Sequence, residues 1–208
     1  MKASRVITQA RVLLNDPDKV RWTDAELLGW LNGGQLQIVA VRPDAKSSTV
    51  DHTLDAGVEQ TLGVSGVRVL DVIRNVGGRA ITLVSRDQLN EFDPDWYSAR
   101  ASTAIKHYTF DANAPKAFEV YPPASAGMKV RLLQSLVPTD CTTLESDVDL
   151  VSAELFESAL IDFVCYRAWA KDGDVAPDAE RAANAIATFM HALTGKSESD
   201  KATRPARK

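Results

Sequence analysis

The chain has 208 residues, of which 45% are hydrophobic and 25% charged, the balance of a soluble globular protein with enough apolar side chains for a sizeable core. Its formal net charge of −4 argues against a protein that grips duplex DNA by neutralising phosphates. No apolar run reaches the length of about 18 residues that a membrane span needs, and Met1–Val6 reads as helix rather than secretory signal, so synthesis and folding in a cytoplasm are expected.

Val6, Ala10, Leu13 and Leu14 recur at helical spacing and predict a first helix. It should stop before Asp16-Pro17, because the residue preceding a proline avoids the α region. The second helix opens on a capping box, with Thr23 as N-cap and Glu26 reaching back to its amide, and Trp22 stands where a hydrophobic staple would meet Leu27. Leu27, Leu31, Gly34, Ile38 and Val41 then share a face, and Arg42-Pro43-Asp44 ends the helix. Gly33-Gly34 inside it costs about 1 kcal/mol per glycine relative to alanine. Close approach of another helix is the simplest compensation, and a kink is its main competitor.

From about residue 48 the period shortens to two. Thr49–Leu54, Val67–Ile73, Ala80–Val84, Ala104–Phe110, Ala117–Tyr121 and Met128–Leu136 read as strands. Val67, Val69 and Asp71 are expected on one face, with Arg68, Leu70 and Val72 on the other. Val76-Gly77-Gly78-Arg79 reads as a hairpin turn, since paired glycines adopt positive φ readily. Such a run of short strands and turns predicts a small antiparallel sandwich or barrel.

The helical period returns with Leu155, Phe156, Ala159, Leu160, Phe163, Val164 and Tyr166–Trp169, stopped near Asp172-Gly173. A last helix has Pro177 in its first turn and Ala182, Ile186, Phe189, Met190 and Leu193 along its face, and is expected to close at Gly195. The predicted fold is therefore α+β: an α-helical bundle of two N-terminal and two C-terminal helices with an inserted β subdomain. Residues 1–46 and 141–195 would supply the helices, and residues 47–140 the insert. Residues 196–208, polar, rich in cations and without apolar periodicity, would form a flexible basic tail.

No catalytic constellation emerges. His52, His107 and His191 fall in different elements without metal-ligand spacing. Cys141 and Cys165 lack a CxxC frame and read as small buried residues. Gly63-Val-Ser65-Gly66 lacks the Gly-x-Ser-x-Gly frame, and Gly77-Gly78 has no phosphate-binding pattern around it. The most enzyme-like group is Asp87, Glu91, Asp93, Asp95 and Asp111, able in principle to act as acid and base or to bind a divalent cation. A plainer reading has Asp93 cap the turn that Pro94 begins, with Trp96 and Tyr97 anchoring it. Trp22 and Trp30 read as packing anchors. No enzyme, cofactor or metal is expected.

Arg21-Trp22-Thr23-Asp24-Ala25-Glu26-Leu27, Asn32-Gly33-Gly34-Gln35 and Arg42-Pro43-Asp44-Ala45 resemble the opening of phage adaptor proteins, the head-to-tail connectors. Asp93-Pro94-Asp95-Trp96, Tyr108-x-Phe110-Asp111, Pro115, Phe118-x-Val120-Tyr121-Pro122-Pro123 and Gly127 resemble the β insert of the same family, and the likeness extends over most of residues 3–195. The resemblance implies a structural virion protein at the head–tail junction, made in the host bacterial cytoplasm. It implies a homo-oligomeric ring, usually of twelve subunits, below the portal protein. Such a ring extends the channel for genomic DNA, without sequence-specific binding, and offers a docking surface to the tail or nozzle protein. It brings no catalytic residues. The family's tail segment often reaches the portal, which makes Lys201, Arg204, Arg207 and Lys208 the candidate partner-binding residues. Other readings are another neck, tail-tube or head-completion protein, a β-sandwich module that binds carbohydrate or peptide, and a metal-dependent hydrolase using Asp93, Asp95 and Asp111.

Overall fold

Ala3–Leu14 forms helix α1, and Asn15 ends it in the left-handed region, at φ 53°. Asp24–Val41 forms α2, whose N-terminus carries the capping box in full: Thr23 Oγ1 accepts from the Glu26 amide, and the Glu26 carboxylate accepts from the Thr23 amide. After seven β-strands and the short helix α3 (Arg86–Phe92), α4 spans Glu157–Lys171 and α5 spans Ala176–Thr203. The structure is a computed structural model and describes residues 1–171 and 176–203. Among the described residues the class is α+β, with five α-helices and two sheets. The chain divides into two compact units, Met1–Lys46 with Pro138–Lys208, and Ser47–Val137.

In the first unit α4 is the central helix, packed against α1, α2 and α5. Its core gathers Val6, Ala10, Trp22, Leu27, Leu31, Ile38, Leu160, Val164, Phe189 and Leu193. The double glycine of α2 is resolved here as close packing. A Cβ built on Gly34 would lie 3.1 Å from Phe163 Cδ1 and 3.2 Å from Leu160 Cδ2, so the α4 side chains occupy the space a larger residue would need. Burial of Phe163 and Leu160 against bare backbone offsets the weak helix propensity of glycine. Leu155, expected on the buried face of α4, lies instead in a 3-10 turn (Ala153–Phe156) that precedes it and is 66% exposed.

The helix α5 does not close at Gly195 but runs to Thr203. One glycine costs only about 1 kcal/mol, and the residues beyond it accept helical geometry.

The second unit holds a three-stranded sheet in the order β1 (Ser47–Thr53), β7 (Lys129–Leu136), β3 (Gly66–Asn75), all antiparallel. A four-stranded sheet runs in the order β2 (Gly57–Thr61), β6 (Ala117–Ala124), β5 (His107–Thr109), β4 (Thr82–Leu83). Leu54, Val69, Val72, Tyr108, Phe118, Val120, Val130 and Leu132, drawn from both sheets and their connections, share one apolar core. The pairing is not wholly antiparallel: β4 and β5 run parallel. The chain between them, which contains α3, is long enough for the crossover that parallel pairing requires.

Alternation in β3 also departs from a simple two-residue period. Val69 and Val72 are both buried, at 1% and 0% exposure, because register shifts fall between Val69 and Asp71 and again between Val72 and Arg74. Each β-bulge inserts one residue and resets the face that follows. The turn after β3 is a hairpin turn with Gly77 at φ 74°, and Asn75 closes it. The Asn75 Nδ2 donates to the Arg79 carbonyl (3.0 Å) and the Ile105 carbonyl (2.8 Å), while Oδ1 accepts from the Ile105 amide (2.9 Å).

Two glycines of one helix should respond in opposite senses. Gly29 has open space where a Cβ would stand, so Gly29→Ala should stabilise the protein by about 1 kcal/mol through helix propensity. Gly34→Leu should destabilise it by roughly 1–3 kcal/mol through overpacking against Phe163 and Leu160. Urea denaturation of both variants, followed by far-UV circular dichroism, checks the pair.

Candidate functional site

The segments that carry the sequence resemblance build a braced frame rather than a pocket. Asp16 is 5% exposed, and its carboxylate accepts from four donors: the amides of Val20 (2.8 Å), Arg21 (3.0 Å) and Trp22 (3.0 Å), and Arg11 Nη1 (2.9 Å). Arg11, equally buried, donates through Nη2 to Asp24 Oδ1 (2.7 Å) and to the Trp22 carbonyl (3.0 Å). One ion pair thus fixes the whole turn between α1 and α2. Burial alone would raise the Asp16 carboxyl, but the three amides and the Arg11 guanidinium outweigh it and hold it below the usual range. Lys19 and then Arg11 lower Asp24 in the same way.

Trp22 sits on this turn, 3% exposed, with its ring edge-on to Trp30 at a centroid distance of 5.4 Å. Lys171 Nζ, from the end of α4, stands 5.3 Å from the Trp22 ring centroid and donates to Glu26. Both tryptophans act as packing anchors, and the capping-box glutamate doubles as an ion-pair partner. Lys171 and the two Thr23 donors hold the Glu26 carboxyl down at about 2.

The Asn32-Gly33-Gly34-Gln35 stretch has a second task. Asn32 pairs twice with the backbone of Cys141: Nδ2 donates to its carbonyl (3.1 Å) and Oδ1 accepts from its amide (2.8 Å). Gln35, 1% exposed, accepts from the Asp149 amide at 2.7 Å. The Asp149 carboxylate in turn accepts from Lys46 Nζ and from the Thr139 amide (2.8 Å). The last residue before the second unit and the second residue after it are therefore held by one side chain. Arg42, with Asp44 at 2.8 Å, completes this corner.

The residues considered for chemistry do not converge. Asp93 closes α3 and holds the turn that Pro94 begins through its carbonyl, which accepts from the Trp96 amide at 3.0 Å, while its carboxylate accepts from the Tyr121 hydroxyl at 3.2 Å. The 3-10 turn Trp96–Ser98 has Asp95 at its N-cap without a side-chain bond, and Trp96 is fully buried while Tyr97 is half exposed. Asp111 accepts from the Asn113 amide at 2.8 Å, the geometry of an Asx turn. Among the described residues no group of three or more His, Cys, Asp or Glu is placed to hold a metal ion. A shallow groove beside Phe110 and Phe118 contains Arg86 and Glu119, but these bond to each other at 2.9 Å. Burial keeps His52 and His107 below the usual imidazole value, and pushes the Cys165 thiol up to about 12, where it is inert.

Arg11, Asp16, Asn32, Gln35 and Asp149 were not legible as a connected set, since each partner lies outside its own periodic run. Asn32 and Gln35 do leave a signal, two amides at i and i+3 beside the apolar positions of α2. Of the candidate partner-binding residues, Lys201 falls on α5, whereas Arg204, Arg207 and Lys208 lie outside the described residues.

Acid should release this frame. Carboxyls lowered in the folded state stabilise it above their unfolded values, about 3.9 for Asp and 4.3 for Glu, and lose that contribution as pH falls through the folded values. Asp16, Asp24, Glu26 and Asp149 are all lowered, so stability should hold above about pH 5 and fall steeply from about pH 4 to 2. Asp16→Ala should cost about 3–5 kcal/mol, because it leaves three turn amides without their acceptor and takes from the buried Arg11 one of its two carboxylates. Its acid transition should also be shallower, as read by chemical denaturation across the pH range.

Over residues 1–208 the chain matches the family model described as SU10 adaptor protein. No curated protein matches it.

Proposed function

Since the chain belongs to the SU10 adaptor protein family, a phage head-tail adaptor family, we propose that it is a non-enzymatic subunit of the virion neck. Twelve copies would form a ring below the portal, extend the DNA channel and present the docking surface for the tail. The helical unit would serve as the bundle and the two sheets as a sandwich inserted in it. The single observation that carries this reading is the match of the whole chain to the family.

The physics is in keeping with it. A ring subunit needs a stiff body, and the buried Arg11–Asp16 pair and the Asn32–Cys141 bonds supply one. A cyclic head-to-tail interface closes without any dedicated motif. A channel for DNA in transit should not hold phosphates tightly, and a net charge of −4 suits that. The cations Lys201, Arg204, Arg207 and Lys208 would pair with acidic residues of the portal, adding specificity at modest affinity.

Mixed with its portal, the protein should sediment as a ring-bearing complex, and electron microscopy should show twelvefold symmetry below the portal. A monomer that never assembles, even with portal present, counts against the reading. Deleting residues 196–208 shortens α5 beyond Gly195; it should leave the fold of the remainder intact and weaken portal attachment. Portal binding that is unchanged at moderate salt would remove the role given to those four cations.

A further inference from the structure

The charge of this chain is distributed unevenly, and the two extremes lie on different units. On the three-stranded sheet, Val130 and Leu132 of β7 face the core, leaving Lys129 and Arg131 on the opposite face. There Arg74 of β3 stands directly across from Arg131, and like charges in register destabilise a sheet. Among the described residues, one carboxylate across the sheet relieves them. Asp51 of β1, across from Arg131 on the other side, accepts both of its hydrogen bonds, at 2.8 and 3.1 Å. Arg74 and Lys129 remain close enough to act on that same carboxylate electrostatically. Arg131, Lys129 and Arg74 thus all act on Asp51, with Arg79 exposed on the adjoining turn. The exposed apolar residues Ile73 and Val76 lie beside them.

The complement is found on the first unit. From Val137 to Tyr166 the sequence has seven carboxylates and neither lysine nor arginine. Asp140 and Glu145 are exposed and, among the described residues, have no cationic partner. Asp147 and Glu154 are 69% and 61% exposed; they pair with Lys2 and the Met1 amine, and Arg5 also acts on Glu154. Val151 and Leu155, 50% and 66% exposed, punctuate the same segment.

We infer that these two surfaces form the contact between neighbouring copies of this chain. The basic outer face of the three-stranded sheet, around Arg74, Lys129 and Arg131, docks on the acidic strip 140–155 of the next copy. The inference rests on the ring reading above and deepens it. Both patches combine unbalanced charge with exposed apolar side chains, the composition of an interface whose apolar centre supplies burial and whose charges set register. The patches differ from each other, so the contact is head-to-tail, the kind that closes a ring or grows a filament. The cationic excess that Asp51 leaves around Arg74 and Arg131 would be offset once the strip covers them.

The test is the mass distribution of the full chain, by analytical ultracentrifugation over a concentration series, alone and with portal, for wild type and three variants. These are R74E/R131E, D140K/E145K and the combination of all four changes. The wild type should assemble. Each double variant should raise the concentration needed for assembly at least about tenfold, as unpaired or like charges at an interface do. The fourfold variant should restore it. Raising salt from about 50 to 500 mM should weaken wild-type assembly, because the Debye length shrinks. Assembly of wild type and both double variants at equal concentration overturns this interface and leaves the ring reading standing. A wild type that stays monomeric, with portal as well, overturns both. Loss of duplex-DNA binding in R74E/R131E with its assembly intact would assign the basic face to nucleic acid, and likewise overturns the inference.

Discussion

The joining of the first two helices depends on the burial of one carboxylate. Asp16 lies where the chain turns from α1 to α2 and satisfies three consecutive backbone amides, those of Val20, Arg21 and Trp22. A buried carboxylate requires a counter-charge, and Arg11 provides it from the preceding helix. The remaining arm of Arg11 reaches Asp24, the first residue of α2. Helix, turn and helix are therefore one electrostatic unit. The packing of Trp22 and the position of the capping box follow from it.

A second constraint acts at the other end of α2. Asn32 and Gln35 bind backbone at Cys141 and Asp149, more than a hundred residues away in sequence. Their neighbours Gly33 and Gly34 let Phe163 approach. The four residues bring together two packing tasks, amides on one side and bare backbone on the other. No smaller change of sequence would satisfy both, since a side chain at Gly34 meets α4 and the loss of either amide leaves buried backbone groups unpaired.

Local signals were legible where the governing interaction is local. The Thr23/Glu26 capping box, the stop near Asp16-Pro17 and the Gly77-Gly78 turn all depend on neighbours within a few residues. The Ser85-x-x-Gln88 box of α3 is equally local but stands among acidic residues that, in sequence, look like a chemical cluster. Strand β2 escaped because its second inward position is Gln60, buried at 2% and bonded to the backbone of Asp55 and Gly57. A polar residue in the core position breaks the pattern by which a strand is recognised. The bulges of β3 and the run of α5 past Gly195 depend on register and on the weakness of a single glycine, which periodicity does not encode. The braced frame was the least legible part, because a buried ion pair between α1 and the following turn looks, in sequence, like surface charge.

Asp149 holds both ends of the β unit, through Lys46 and Thr139, and the first and last strands of that unit are neighbours, Ser47 pairing with Ser135. The chain thus leaves the helices and returns to them at almost one place. A segment attached in this way is topologically a long loop, and its length and content are nearly independent of the helices that carry it. Evolution can lengthen, shorten or exchange such a graft without reworking the host helices. The same junction offers a protein engineer a ready socket, at which a foreign domain with adjacent termini could be spliced between Lys46 and Thr139.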